Sequence, residues 1–348
     1  MPTPRRGDLQ TIQALRAVAA LLVVAFHAVN SWSLHVHGQP ADAYWPNGSG
    51  GVDIFFVISG LVMVISADRV AGKPGAWRIF LRQRLVRVVP LYWIMTTVKV
   101  ATVLALPALA LHTDLNPRYV AGSYLFLPVH DATGDLFPVL PVGWTLNYEM
   151  LFYGLVALGL LCRLPVITIA GPVLAIIAVV GVMNGGAGFA NTIVVEFIFG
   201  VLLGAAMKRR IGIPPWLASI LLLLGLTVIL IGPVVSGQWR PITWGVPSAC
   251  IVAGAVALEG PLSHALPRWL LDTGDASYSI YLTHLFLVPV VYGCVSIVAP
   301  AFLWLPMTIV GSLIVSAATG RLSYLCIERP LLRSLRRPSV VPAIAIAG

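Results

Sequence analysis

Seven ionisable residues interrupt otherwise apolar runs: Arg16, His27, Asp53, Lys99, Glu149, Glu196 and His284. At the centre of a bilayer such a side chain costs about 2.5–3.5 kcal/mol on insertion scales, so each marks a candidate site. Arg16 and His27 stand 11 residues apart. At 100° per residue both fall on one helix face, about 16 Å apart along the axis. The small residues Ala20 and Val23 lie between them on that face. A slender molecule could lie along this stripe, its anionic end at Arg16 and its reactive end at His27. Taken singly, Arg16 reads as a snorkelling cation and His27 as a hydrogen-bonded core histidine. The shared face is what argues for chemistry. Asp53 and Glu149 are expected near the depth of His27, where either carboxylate could hold its ring N–H and raise its basicity. A charge at a helix N-terminus is a cheaper explanation for Asp53; Glu149 has none.

The run Trp77–Pro90 carries four arginines. Drawn as a helix, it puts Arg84 and Arg87 within or beside the apolar stripe of Trp77, Phe80, Leu81, Leu85 and Val88, and Arg78 and Arg82 on another face. A plain surface anchor would keep every charge off its apolar stripe. Arg84 and Arg87 are therefore expected to point into the protein, toward a phosphate-rich anion. Pro90 limits how far this helix is expected to run. Neither a Walker loop nor a dinucleotide glycine fingerprint is present.

The elements that must position these residues follow from composition. Of 348 residues, 58% are hydrophobic and only 10% charged. A soluble domain carries about 25% charged residues. A soluble enzyme, a disordered chain and a strand-alternating outer-membrane barrel are thereby excluded. The expected fold is all-α, a polytopic bundle of about ten transmembrane helices. The spans read Thr11–Val29, Gly51–Ser66, Val89–Leu111, Val142–Leu161 and Val166–Met183, then Asn191–Met207, Trp216–Val235, Ile242–Leu258, Ser277–Val298 and Phe302–Leu322. Of the 22 Lys and Arg, eighteen lie on the side of the termini, Arg118 and Arg240 lie opposite, and Arg16 and Lys99 are within spans. The positive-inside rule makes both termini cytoplasmic. The net charge of +9 follows this topology, so no nucleic-acid partner is expected. The four cysteines read as small apolar fillers, and His35 and His37 as solvated loop histidines, with no metal site expected. Residues 1–337 read as one domain, with a disordered tail over 338–348 and no cleavable signal peptide.

On these residues the sequence resembles the acyltransferase 3 family of integral membrane acyltransferases, in particular its exopolysaccharide O-acetyltransferase branch. Arg16 and His27 match the family's Arg-x10-His motif. Further blocks are Gly51–Gly60, Arg84 and Arg87 with Pro90 and Tyr92, Gly143–Tyr153, Glu196–Gly200, Ser277–His284 and Glu328-Arg329-Pro330. The resemblance covers about Gly7 to Arg333. It implies acyl-CoA, usually acetyl-CoA, as co-substrate and a carbohydrate hydroxyl as acceptor, in a multi-pass protein of the bacterial inner membrane. It also implies His27 as the catalytic residue, with Arg16, Arg84 and Arg87 on the coenzyme A side. Asp53 and Glu149 are then candidates to orient His27. Lys99, Trp144, Asn147 and Tyr148 are candidates for substrate contact or for the oxyanion that forms when a hydroxyl attacks a thioester. Expected partners are membrane lipid, the carbohydrate acceptor and polysaccharide-assembly proteins. Whether His27 acts as a base or carries the acyl group stays open. The main rival reading is a glycolipid transporter or flippase, for which an internal repeat would speak; the sequence contains none. A scaffold role would leave the cost of the membrane-buried ionisable residues unexplained.

Overall fold

A computed structural model describes residues 9–106, 115–185, 188–234 and 237–336. Arg5, Arg6, the expected tail and the outer end of the third span lie outside these residues. All regular structure among the described residues is helical. In chain order the helices are α1 Gln10–His37, α2 Gly51–Val70, α3 Ala76–Ala105, α4 Pro117–Tyr124, α5 Trp144–Cys162, α6 Val166–Met183 and α7 Val194–Lys208. They continue with α8 Pro215–Ile231, α9 Val246–Ala257, α10 Glu259–Ser263, α11 Arg268–Asp275, α12 Ser277–Val298, α13 Trp304–Ser323 and α14 Arg329–Arg336. A helix stands at each of the ten expected spans. Seven of them, built on α1, α2, α3, α5, α6, α12 and α13, are long and apolar enough to cross a membrane. Three are shorter: α7 has 15 residues, α8 has 17, and α9 has 12 after a π-turn at Pro241–Gly245.

Two boundaries differ from the sequence reading. α1 continues two turns past Val29, so His35 and His37 are helical and not in a loop. The His35 ring bonds the Ser31 carbonyl at 2.7 Å and faces Tyr292, while His37 stacks on Tyr44. The second difference is that α3 runs unbroken through Pro90, joining the basic run to the apolar span as one 30-residue helix.

Close packing fixes three relations that matter for the site. α1 and α12 run side by side in one register: His27 faces His284, and eight residues further on His35 faces Tyr292. α13 closes on both, with Gly320 against the Ile280 backbone. The 3₁₀ turn Pro46–Gly50 dips inward past Phe26, and α2 starts where Gly51 abuts the Ala19 carbonyl. The free amides of α1's first turn meet a remote carboxylate: Glu259 of α10 accepts from the N–H groups of Gln10 at 2.8 Å and Thr11 at 3.0 Å. This satisfies donors that no intrahelical partner can reach.

α2 and α7 cross at paired glycines. A Cβ on Gly60 would stand 2.3 Å from the Phe197 carbonyl oxygen, and one on Gly200 would stand 2.1 Å from that of Val57. Both obstacles are backbone, so the helices must separate to admit a side chain. Gly60→Val should lower the thermal midpoint in detergent by an amount equivalent to about 1–3 kcal/mol. Gly154→Val, which meets nothing within 4 Å, is the control. Equal midpoints for the two variants would contradict the close approach.

Candidate active site

A cavity of about 930 Å³ enters from the end of the bundle where α2 and α3 connect. Along α2 it runs from Val52 past Phe55, Ser59, Val62 and Ser66 to Arg69, and with neighbours such as Phe56 and Met63 it takes up about one half of the helix surface. These positions span about 26 Å at 1.5 Å per residue, close to the thickness of a bilayer's hydrocarbon core. α1 adds Gln13 and Arg16, α5 adds Thr145, Glu149 and Tyr153, and α12 adds Tyr278 and Tyr281.

The lining is charged at one end. Arg69, Lys73, Arg78 and Arg82 are exposed around the mouth, while Arg84, Arg87 and Arg16 are half-buried further in. Arg84 donates to the Ser66 hydroxyl and lies over the Phe80 ring. Arg16 donates to Gln13 at 3.3 Å. Glu149 is the one acid of the lining; it accepts from Tyr153 at 2.6 Å and Ser59 at 3.3 Å. The helical-wheel separation of the α3 arginines thus becomes a difference in depth. All four line the cavity, because it is wide enough at the mouth to wrap around α3.

At the other end Phe55 and Tyr281, whose rings lie 6.1 Å apart, wall the cavity on the side of His284, and Val52 lines it about a turn further out. The Tyr281 hydroxyl donates to the Val142 carbonyl at 3.0 Å and lies 3.0 Å from the Thr145 hydroxyl. Beyond this single aromatic layer stands His284, 6.0 Å from the Tyr281 ring, and then His27, 4.9 Å from His284. His27 is half-buried; His284 is fully buried.

The path toward His27 therefore differs from the expected one. Ala20 and Val23 do not form an open stripe along α1. Ala20 is packed among α1, α12 and α13, and Val23 against the start of α2. Their small size serves helix approach, and the open face belongs to α2.

Neither carboxylate expected beside His27 bonds to it. Since α2 begins at the level of Ala19–Val23, Asp53 lies about two turns below His27. It is fully buried and accepts from Nε and Nη2 of Arg240, with N···O distances of 2.9 and 2.7 Å. Glu196 of α7 is fully buried beside this pair. Burial works against the Arg240 charge, but Asp53 and then Glu196 outweigh it and hold the guanidinium above its ordinary value. Glu149 faces the cavity instead. Removing Arg240 would leave buried carboxylate charge without its partner, which typically costs about 3–5 kcal/mol. Arg240→Gln should therefore lower the thermal midpoint sharply, and adding Asp53→Asn should restore part of it. An unchanged midpoint in Arg240→Gln would refute the pairing.

Four further candidates stand outside the cavity lining. Tyr148 stacks on Phe189 and donates to its carbonyl at 3.0 Å. Asn147 donates to Leu127 at 3.4 Å, and Trp144 packs on Phe56 and Tyr148. Lys99 is half-buried on α3. The lining residues that sequence reasoning missed are Ser59, Thr145, Tyr153, Tyr278 and Tyr281. All lie inside the quoted sequence blocks, but a neutral hydroxyl carries no burial cost large enough to single it out.

The model of an acyltransferase domain, that of the acyltransferase 3 family, matches residues 9–321. The chain belongs to this family. The acyltransferase is also 34% identical over 319 residues to the exopolysaccharide production protein ExoZ of Rhizobium meliloti (strain 1021), covering 86% of this chain and 94% of that protein. No solved structure matches it. Membership decides among the three sequence readings: this is a membrane-embedded acyltransferase, and the transporter and scaffold readings fall. The Arg-x10-His motif now has a geometry, with Arg16 inside the basic part of the cavity and His27 beyond its aromatic end.

Proposed function

We propose that the acyltransferase moves an acyl group, in the first place acetyl, from cytoplasmic acetyl-CoA to a carbohydrate hydroxyl of an exopolysaccharide or its lipid-linked precursor. The observation that carries this reading is the asymmetry of the cavity: seven cations and one acid line it, and the cations cluster at the mouth. Coenzyme A has the complementary form, with several phosphates at one end and a thioester at the end of a thin, amide-containing arm. Arg84 and Arg87, helped by Arg16, bind the phosphates, since charge-assisted bonds to phosphate are among the strong ones. Glu149 and the hydroxyls of Ser59 and Tyr153 meet the arm part-way along. The thioester reaches His27 when Phe55 and Tyr281 part.

His27 then takes the proton of the attacking hydroxyl, or carries the acyl group itself. Thr145 and Tyr281, at the inner end of the cavity, replace Asn147, Tyr148 and Lys99 as the polar groups nearest the chemistry. The cytoplasmic position of the mouth rests on the Lys/Arg count, and the inner membrane on the apolar helices together with a bacterial relative. The acceptor class rests on the likeness to the exopolysaccharide production protein of Rhizobium, and hand-off to polysaccharide-assembly proteins on the same ground.

The test uses the full chain in lipid nanodiscs with acetyl-labelled acetyl-CoA and bacterial exopolysaccharide. The expected result is label in the polysaccharide and an equal release of coenzyme A thiol. Translocation of a glycolipid without any thiol release would overturn the reading.

A further inference from the structure

His284 has no task in this scheme. It is fully buried on α12, and its Nδ1 lies 3.3 Å from the Ile280 carbonyl. A carbonyl only accepts, so Nδ1 carries the proton and Nε2 presents a lone pair. That Nε2 is buried and has no hydrogen-bond partner. An unmet acceptor at such depth demands an explanation. The nearest aromatic ring is that of His27, at 4.9 Å between centroids. At this separation, rotation of the rings brings facing nitrogens within hydrogen-bond reach. The carboxylates of this part of the bundle are engaged elsewhere: Asp53 with Arg240, Glu149 with Ser59 and Tyr153, and Glu328 with Ser279. The shared register of α1 and α12 holds the two histidines level.

We propose that His284 is the positioning residue of His27, its bare Nε2 accepting the ring N–H of His27 and leaving the opposite His27 nitrogen as the base. The inference rests on the proposed role of His27. As the substrate hydroxyl attacks the thioester carbonyl, a C–O bond forms and its proton passes to the free nitrogen of His27. The proton on the other His27 nitrogen shifts toward His284 Nε2, so the pair shares one positive charge. When the C–S bond breaks, the proton returns through His27 to the departing thiolate, which leaves as coenzyme A thiol. A neutral partner suits this interior, where a carboxylate in the same position would bring a desolvation penalty of several kcal/mol.

Three variants in nanodiscs test this. His284→Phe keeps a ring of similar shape but removes the acceptor. It should lower kcat by about 10²-fold or more, from the low end of what a positioned general base contributes upward, with coenzyme A affinity and KM for acetyl-CoA within about twofold. His284→Gln offers an amide oxygen where Nε2 stood and should recover most of the loss. His27→Ala separates the two ideas. If it stays active, the His27 reading itself fails. If it is dead while folded His284→Phe turns over normally, only the present inference fails. Equal losses of donor affinity and kcat in His284→Phe would mean a packing role and would also overturn the inference. The unmodified protein gives an independent check by ¹⁵N resonances of its histidine rings. His284 should be protonated on Nδ1, and a proton on Nε2 would refute the proposal without any variant.

Discussion

Replacing His27 by Ala should lower acyl transfer by about 10³-fold or more while acetyl-CoA still binds. A positioned general base contributes about 10²–10⁴-fold, and a covalent carrier is wholly indispensable to its route. The separation of functions follows from the geometry, because His27 stands beyond the Phe55–Tyr281 layer and the cations stand at the far end of the cavity. None of the residues proposed to hold the nucleotide is touched. The half-buried ring packs on His284 and Phe26, so a moderate loss of stability is expected as well and is to be measured beside activity. Near-normal turnover in a folded His27→Ala protein would remove His27 from the mechanism.

The second large effect concerns the donor. Arg84→Ala and Arg87→Ala should each weaken acetyl-CoA binding by about 1.5–3 kcal/mol, roughly tenfold to a hundredfold, because on the proposed reading each half-buried guanidinium makes a charge-assisted contact to phosphate. Arg78→Ala and Arg82→Ala should cost about 0–1 kcal/mol each, as exposed charges do. The exposed pair also predicts a different salt response. Its contribution should vanish at high ionic strength, where the Debye length shrinks to about 3 Å at 1 M, while that of Arg84 and Arg87 should persist in part. Titration of acetyl-CoA into the four variants at low and high salt reads both differences. Equal losses from the two pairs would mean that bulk positive charge draws the donor to the mouth.

The difference in burial between the two α3 arginine pairs was legible in the sequence because it is local, whereas the lining of one cavity by all four was not. Four arginines and five large apolar residues within one helix fix their own relative faces. The spans were legible for a similar reason, since apolar runs of sufficient length are a property of the segment alone. What the sequence hid is non-local. Asp53 and Arg240 are 187 positions apart, and nothing in either segment names the other. The depth of Asp53 was misjudged because the turn Pro46–Gly50 folds inward along α1, which its composition does not announce. Ala20 and Val23 were misread because a small residue leaves room either for a ligand or for a neighbouring helix; here α12, α13 and the start of α2 take it. His284 stood out by its burial cost, but its place beside His27 depends on the register of α1 against α12, and only tertiary packing sets that.

The central claim is that one cavity carries an acyl-CoA from the α2–α3 mouth to His27. A structure of the protein with a non-hydrolysable acetyl-CoA analogue tests it most directly. The account predicts phosphates on Arg84 and Arg87, the arm running along the Ser59 face of α2, Phe55 and Tyr281 displaced, and the acyl carbonyl against the His27 ring. An analogue whose nucleotide sits away from these arginines, or whose acyl end stops at Glu149 below a closed Phe55–Tyr281 layer, would contradict it.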